Sequence, residues 1–189
     1  MTPFEYVIVL ISIIIGLGIT VILNGIARLI RNWRSVKVFW PYLIWIVLVF
    51  VMHIHEWWIM YDWRTIQSWS LLTFLFILLY PVLLFILANL LFPKKGGKKE
   101  TDLKRYYFIM YPKFFLSALL LIATAIFTDV LIAGLPVRDQ VVKILLFGIL
   151  LVATLTRPRN EWVHGALAAF LLAVMIISLF ILSEDLVIQ

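Results

Sequence analysis

Six long apolar segments, separated by short polar connections, account for almost the whole chain. An α-helix needs roughly 20 apolar residues to cross a bilayer. Five of the segments reach this length, and the segment at 141–156 is slightly shorter. The pattern predicts an all-α, polytopic membrane protein, folded as one membrane domain with a six-helix bundle. The predicted helices cover residues 6–30, 38–61, 69–92, 111–133, 141–156 and 162–182, with the longest loop at 93–110.

Basic residues in the connections predict the orientation of this bundle. Cytoplasmic loops accumulate Lys and Arg, whereas translocated loops do not. The even-numbered connections hold only Arg64, Arg138 and Lys143 of the sixteen basic residues. We therefore predict that the odd-numbered connections, including the 93–110 loop, are cytoplasmic and that both termini are outside. The other thirteen basic residues are Arg28, Arg31, Arg34, Lys37, Lys94, Lys95, Lys98, Lys99, Lys104, Arg105, Lys113, Arg157 and Arg159.

Composition supports the membrane class and argues against several others. Hydrophobic residues make up 65% of the chain and the mean hydropathy is +1.10, whereas soluble domains are about half apolar. The net charge of +6 follows from the basic connections, so the expected partner is the lipid bilayer and not nucleic acid. The expected location is a cell membrane, which we take to be a bacterial inner membrane. The chain has no cysteine, which excludes disulfides and thiolate metal sites.

The second predicted helix carries the ionisable residues that are hardest to explain as membrane anchors. His53 and Glu56 share one helix face and are within side-chain reach of each other, whereas His55 and Asp62 lie on the opposite face. Ionisable groups inside a span are costly unless they face protein or water. We therefore assign the His53 and Glu56 pair to the interior of the bundle.

Asp129 is predicted to lie at a similar depth. At about 1.5 Å per residue, His53 is roughly 22 Å and Asp129 roughly 27 Å from the inner ends of their helices, and Glu5 and Asp62 lie at the same outer boundary. We predict an outward-facing polar cavity lined by His53, Glu56 and Asp129, whose side chains can take a proton, a small cation or a divalent metal. Alternatively, the same residues hydrogen-bond and only fix how the helices pack.

A second polar set is predicted near the inner side of the membrane. It includes Asn24 in the first helix and the pair Glu161 and His164 at the start of the sixth helix. Asn160 is well placed as the N-cap of that helix, and an acidic residue in the first turn complements the positive helix end. We therefore interpret Glu161 and His164 as part of a helix start in preference to a catalytic pair.

Two helices carry small residues at four-residue spacing, which allows close helix contact where lipid provides no hydrophobic drive. Each stripe is predicted either to pack within the bundle or to form a homo-oligomer contact. Tryptophans near helix ends, such as Trp40 and Trp162, are predicted to anchor the inner interface. The two stripes are Gly16, Thr20 and Asn24 in the first helix, and Gly165, Ala169 and Ala173 in the sixth.

No sequence motif that we considered indicates a chemical activity. The chain lacks a G-x-S-x-G elbow, an H-E-x-x-H zinc motif, a Walker loop and an EF-hand loop. We predict a small transporter or channel-like protein that uses the outer cavity, in preference to an enzyme. One alternative is a non-catalytic scaffold or sensor subunit of a larger complex. Another is an intramembrane enzyme or a haem- or metal-binding redox protein, with no particular cofactor indicated and with His53, Glu56 and Asp129 as the metal ligands.

Overall fold

The computed structural model describes residues 3–65, 70–93 and 101–185, and these form six α-helices joined by short connections. The predicted all-helical architecture is confirmed, since six helical segments are long and apolar enough to cross a membrane. The helices are α1 (Pro3–Arg31), α2 (Trp40–Ile59), α3 (Leu71–Leu90), α4 (Leu103–Leu131), α5 (Val141–Thr156) and α6 (Glu161–Asp185). Short 3-10 helices cover Trp33–Ser35, Met60–Thr65 and Val137–Gln140, and a two-residue parallel pair joins strands β1 (Val36–Lys37) and β2 (Thr101–Asp102).

Helix α4 departs most from the sequence prediction. The other five helices begin and end within three residues of their predicted bounds, but α4 starts at Leu103 and not at residue 111. Residues 103–110, which were predicted as part of the 93–110 loop, are therefore helical. Its start is capped by Asp102, whose carboxylate accepts a hydrogen bond of 2.9 Å from the backbone N–H of Arg105.

The first two turns of α4 are amphipathic, and this explains why hydropathy alone missed them. Lys104 and Arg105 are exposed, whereas Tyr107 and Tyr111, one turn apart, are buried. Two basic residues lower the mean hydropathy of the segment, although its aromatic face belongs to the core. Pro112 is accommodated within the helix.

Helix α2 is the central helix of the bundle. It packs most extensively against α6, and it also contacts α1, α3 and α4. Its buried face includes Trp45, whose ring lies 5.2 Å from that of Phe114 and 5.3 Å from that of Phe115 on α4. Because α2 and α6 come from opposite halves of the chain, the bundle is interleaved and does not divide into two separate groups of three helices.

The first, third and fifth connections meet at one end of the bundle, which we call the basic end. Strands β1 and β2 join the first connection to the third. An ion pair between Lys104 and Glu161 joins the start of α4 to the start of α6. The rings of Trp40 and Trp162 are 5.4 Å apart and join α2 to α6. The described basic residues of these connections are therefore gathered on one side of the fold.

Three glycines make room for large side chains from neighbouring segments. A Cβ atom at any of these positions would overlap an aromatic or imidazole ring. Only one of the three belongs to a predicted small-residue stripe, so the spacing rule identified few of the close contacts. The pairs are Gly18 with His53, Gly25 with Phe92, and Gly165 with Trp40.

The two predicted stripes differ in their surroundings. Gly165 packs inside the bundle, but Ala169 and Ala173 on the same helix are exposed. Thr20 and Asn24 of the first stripe are exposed as well. Packing within the bundle therefore accounts for Gly165 and not for those four residues, and a homo-oligomer contact stays a prediction.

We expect Gly165→Ala to destabilise the protein, because the added methyl group would overlap the Trp40 ring. Overpacking of this kind costs about 1–3 kcal/mol. The matched control is Gly148→Ala in α5, where an added Cβ meets nothing within 4 Å; it should leave the melting temperature unchanged or raise it. Thermal unfolding in detergent measures both variants, and equal shifts would contradict the packing described for Trp40.

Candidate functional site

The last two turns of α2 hold the predicted site residues of that helix. His53 is fully buried and Glu56 is 5% exposed, while His55 is half-buried. The helical spacing therefore assigned His53 and Glu56 correctly to the interior of the fold. The two side chains, however, have different neighbours from each other.

His53 faces α1. Its Nδ1 lies 2.7 Å from the backbone oxygen of Val49, and because a carbonyl only accepts, Nδ1 carries the hydrogen. The other nitrogen, Nε2, is buried against Gly18 without a hydrogen-bond partner. His53 therefore forms no hydrogen bond with Glu56, and the predicted pairing of these two side chains is absent.

His55 contacts α6. Its Nε2 is 3.3 Å from the hydroxyl oxygen of Ser178. This contact lies on the most extensive helix interface of the bundle, between α2 and α6. His55 therefore helps to set the position of α2 beside α6.

Asp129 forms an ion pair with Lys143, which joins the end of α4 to the first turn of α5. The connection between them turns at Gly134, whose φ of 69° lies in the left-handed region that favours glycine. A hydrogen bond of 2.9 Å from Leu135 N–H to the Asp129 backbone oxygen closes the turn. The short 3-10 helix Val137–Gln140 then leads into α5. The tight connection brings the two charged side chains together.

Glu56 lies within electrostatic range of both Lys143 and Asp129. Tyr80, from the middle of α3, is within range of Glu56 and Asp129. We call Glu56, Tyr80, Asp129 and Lys143 the carboxylate cluster; one member comes from each of α2, α3, α4 and α5. Its three charged members lie near the ends of α2 and α4 and the start of α5, which is the opposite end from the basic end, and Tyr80 reaches them from the middle of α3.

Charge and exposure vary across the carboxylate cluster. It has two carboxylates and one ammonium group, so it carries one surplus negative charge when all three are ionised. The side chains of Lys143 and Asp129 are 41% and 20% exposed, whereas Glu56 is 5% exposed. The cluster therefore runs from a partly exposed ion pair to a buried carboxylate.

The predicted metal-ligand set does not converge. Glu56 and Asp129 are near each other, but His53 points to α1. Across the three described ranges of the chain, no group of three His, Cys, Asp or Glu side chains is arranged to hold one metal ion. Glu5 is exposed near the start of α1, and the side chain of Asp62 lies outside the described residues.

His164 is part of a closed hydrogen-bond system at the basic end. Its Nε2 donates to the backbone oxygen of Pro158 at 2.7 Å, which leaves Nδ1 to accept from the Tyr107 hydroxyl at 2.9 Å. The rings of Phe108 and Tyr111 lie edge-on to the imidazole at 5.3 and 5.1 Å. Both nitrogens are satisfied, so His164 ties the start of α6 to α4 and to the preceding connection.

The start of α6 follows the capping interpretation. The Asn160 side-chain oxygen accepts a hydrogen bond of 3.0 Å from Trp162 N–H, which confirms Asn160 as the N-cap. Glu161 pairs with Lys104, and Asn24 is exposed on α1. The inner polar residues therefore do not form a second site around His164.

Sequence reasoning missed Tyr80 and Lys143. Tyr80 gave no signal, since a tyrosine in an apolar helix resembles any other aromatic residue. Lys143 had a usable signal, because a lysine in the first turn of a predicted membrane helix lies at the depth of Asp129 at the end of the preceding helix.

Comparison with protein-family models, with curated proteins and with solved structures found no match.

We expect a double-mutant cycle to detect the contact between Asp129 and Lys143. Asp129→Asn and Lys143→Gln should each lower stability, and the double variant should recover part of the loss, with a coupling of about 1 kcal/mol for this partly screened pair. Unfolding free energies in detergent provide the measurement. The comparison cycle, His53→Leu with Glu56→Gln, should be additive within about 0.5 kcal/mol, because those side chains do not bond.

The two cycles together test the geometry of the site. A coupling in the His53 and Glu56 cycle as large as that in the Asp129 and Lys143 cycle would contradict the separate environments described for His53 and Glu56. Additivity in the Asp129 and Lys143 cycle would contradict the ion pair.

Proposed function

We propose that the protein is a multi-pass membrane transport protein that binds a proton or another small monovalent cation at the carboxylate cluster. The observation that carries this proposal is the burial of Glu56, on the central helix, within electrostatic range of Asp129 and Lys143. Ionisable groups inside a membrane segment are costly, and they are commonly found on ion pathways and proton relays.

The charge balance of the cluster supports cation binding. Lys143 can compensate only one of the two carboxylates, and it already pairs with Asp129. A second negative charge in an apolar environment is strongly unfavourable unless a proton or a cation neutralises it. The site therefore favours a reversible exchange of one positive charge at Glu56.

The gradient of exposure supports access from the end opposite the basic end. The side chain of Lys143 is the most exposed of the charged members of the cluster, and Glu56 is the least exposed. A cation that enters there meets Asp129 before Glu56. Toward the basic end, the buried face of α2 continues with Ile46, Leu48 and Val49, which are apolar. This arrangement favours a carrier over a wide aqueous pore.

For the orientation, we propose that the basic end is cytoplasmic and that both termini are outside. The support is the concentration of Lys and Arg at that end, since basic loops are retained on the cytoplasmic side. The carboxylate cluster would then open to the outside.

Cation transport is tested with the purified protein in liposomes that contain a pH-sensitive dye, under an imposed pH or sodium gradient. We expect flux above that of empty liposomes, and a reduction of about tenfold or more in Glu56→Gln, which corresponds to about 1.4 kcal/mol in the barrier. Glu161→Gln is the matched control, because it removes a carboxylate from an ion pair at the basic end. It should transport normally.

Two results would overturn the transport proposal. One is flux no greater than that of empty liposomes. The other is normal flux in Glu56→Gln. If flux is absent and Glu56→Gln lowers the melting temperature, the cluster has a structural role, as expected for a scaffold subunit.

The orientation is tested by cysteine accessibility, for which the chain is suited because it contains no cysteine. Ser35→Cys lies at the basic end and Val137→Cys at the opposite end, and both positions are exposed. In intact cells, a membrane-impermeant maleimide should label the Val137→Cys variant at once and the Ser35→Cys variant only after permeabilisation. The reverse labelling pattern would contradict the proposed orientation.

A further inference from the structure

Four arginines at the basic end are exposed. Arg31 and Arg34 flank the end of α1, and Arg157 and Arg159 lie in the connection between α5 and α6. In the part of the chain that the structure describes, none of these guanidinium groups forms an ion pair. Each one is therefore free of the carboxylates that the structure describes.

The described acidic side chains at this end are already engaged. Asp102 caps α4 through Arg105 N–H, and Glu161 pairs with Lys104. Within the described residues, neither forms an ion pair with an arginine. The positive charge of the four arginines is therefore not neutralised by these two carboxylates, and an anionic partner would complement it.

Two exposed tryptophans accompany the arginines. Trp33, between Arg31 and Arg34 in the chain, is 56% exposed, and Trp162, shortly after Arg159, is 74% exposed. Large exposed indole rings are characteristic of the membrane interface, where the ring reaches the level of the lipid headgroups. Ile30, which precedes Arg31 in α1, adds an apolar side chain that is 66% exposed.

We propose that two exposed groups at the basic end bind the phosphate groups of anionic phospholipids. We call them together the arginine–tryptophan surface: Arg31, Trp33 and Arg34 after α1, and Arg157, Arg159 and Trp162 before and at the start of α6. Arginine suits this ligand because its planar guanidinium group donates two parallel hydrogen bonds to phosphate oxygens. The tryptophans favour a phosphate that belongs to a lipid, since the ring can contact the glycerol and upper chain region. The proposal rests on the membrane placement in the proposed function but not on transport.

Lipid binding is tested with the full chain in a neutral detergent. Dibrominated phosphatidylglycerol and phosphatidylcholine with the same acyl chains are titrated separately, and quenching of tryptophan fluorescence reports binding. We expect a preference of about tenfold or more for phosphatidylglycerol at low salt. The preference should shrink in 0.5 M NaCl, because salt screens exposed charges.

Matched double variants identify the surface. Arg157→Gln with Arg159→Gln, and separately Arg31→Gln with Arg34→Gln, should each weaken phosphatidylglycerol binding by at least about fivefold, the effect of about 1 kcal/mol for a single basic residue near an anionic membrane. The control, Arg64→Gln with Arg138→Gln, removes two arginines at the opposite end and should leave the preference unchanged. Inorganic phosphate at millimolar concentration should not displace the lipid.

Three outcomes would overturn the proposal. They are equal binding of the two lipids by the wild-type protein, an equal loss of preference in the Arg64 and Arg138 control, and full displacement of the lipid by inorganic phosphate. The first measurement needs no variant, so it decides even if a substitution prevents folding. Lipid binding is measured in detergent and transport is measured in liposomes. A negative result for lipid binding is therefore distinguishable from a negative result for transport.

Discussion

The burial of a carboxylate in an apolar helical bundle is the constraint on which the rest of the structure depends. Glu56 lies on α2, the helix that contacts four others, so its environment is set by several neighbouring helices. A buried charge requires a partner of opposite sign or a proton. The tight connection between α4 and α5 brings Lys143 and Asp129 within electrostatic range of Glu56. The carboxylate cluster therefore depends on this connection as well as on the packing of the helices.

The two ends of the bundle are built differently. At the basic end, the strand pair, the Lys104 and Glu161 ion pair and the His164 hydrogen bonds join the first, third and fifth connections to one another. At the opposite end, the carboxylate cluster depends on α5, which packs chiefly against α4. The opposite end also has an apolar cluster, in which Val7, Met60 and Ile77 join α1, the 3-10 helix that follows α2, and α3.

Individual residues illustrate where sequence reasoning succeeded and where it failed. Asn160 was identified as an N-cap because capping depends on a few neighbouring backbone groups. The start of α4 was misplaced because Lys104 and Arg105 lower the mean hydropathy of its first turns. The aromatic face of these turns contributes to stability only when it packs against other helices. His53 was paired with Glu56 because they share a helix face, yet Gly18 on α1 receives the imidazole. The functional role of the site residues stays a prediction.

The sequence by itself determined the number and approximate bounds of the helices, since apolar length is a local property, and it determined which connections carry the basic residues. Only the tertiary structure decided which helices are neighbours. Residues three apart on one helix point about 60° apart, enough for His53 to meet α1 while Glu56 approaches Lys143 of α5. That choice depends on contacts between segments distant in the chain, and local periodicity contains no information about them.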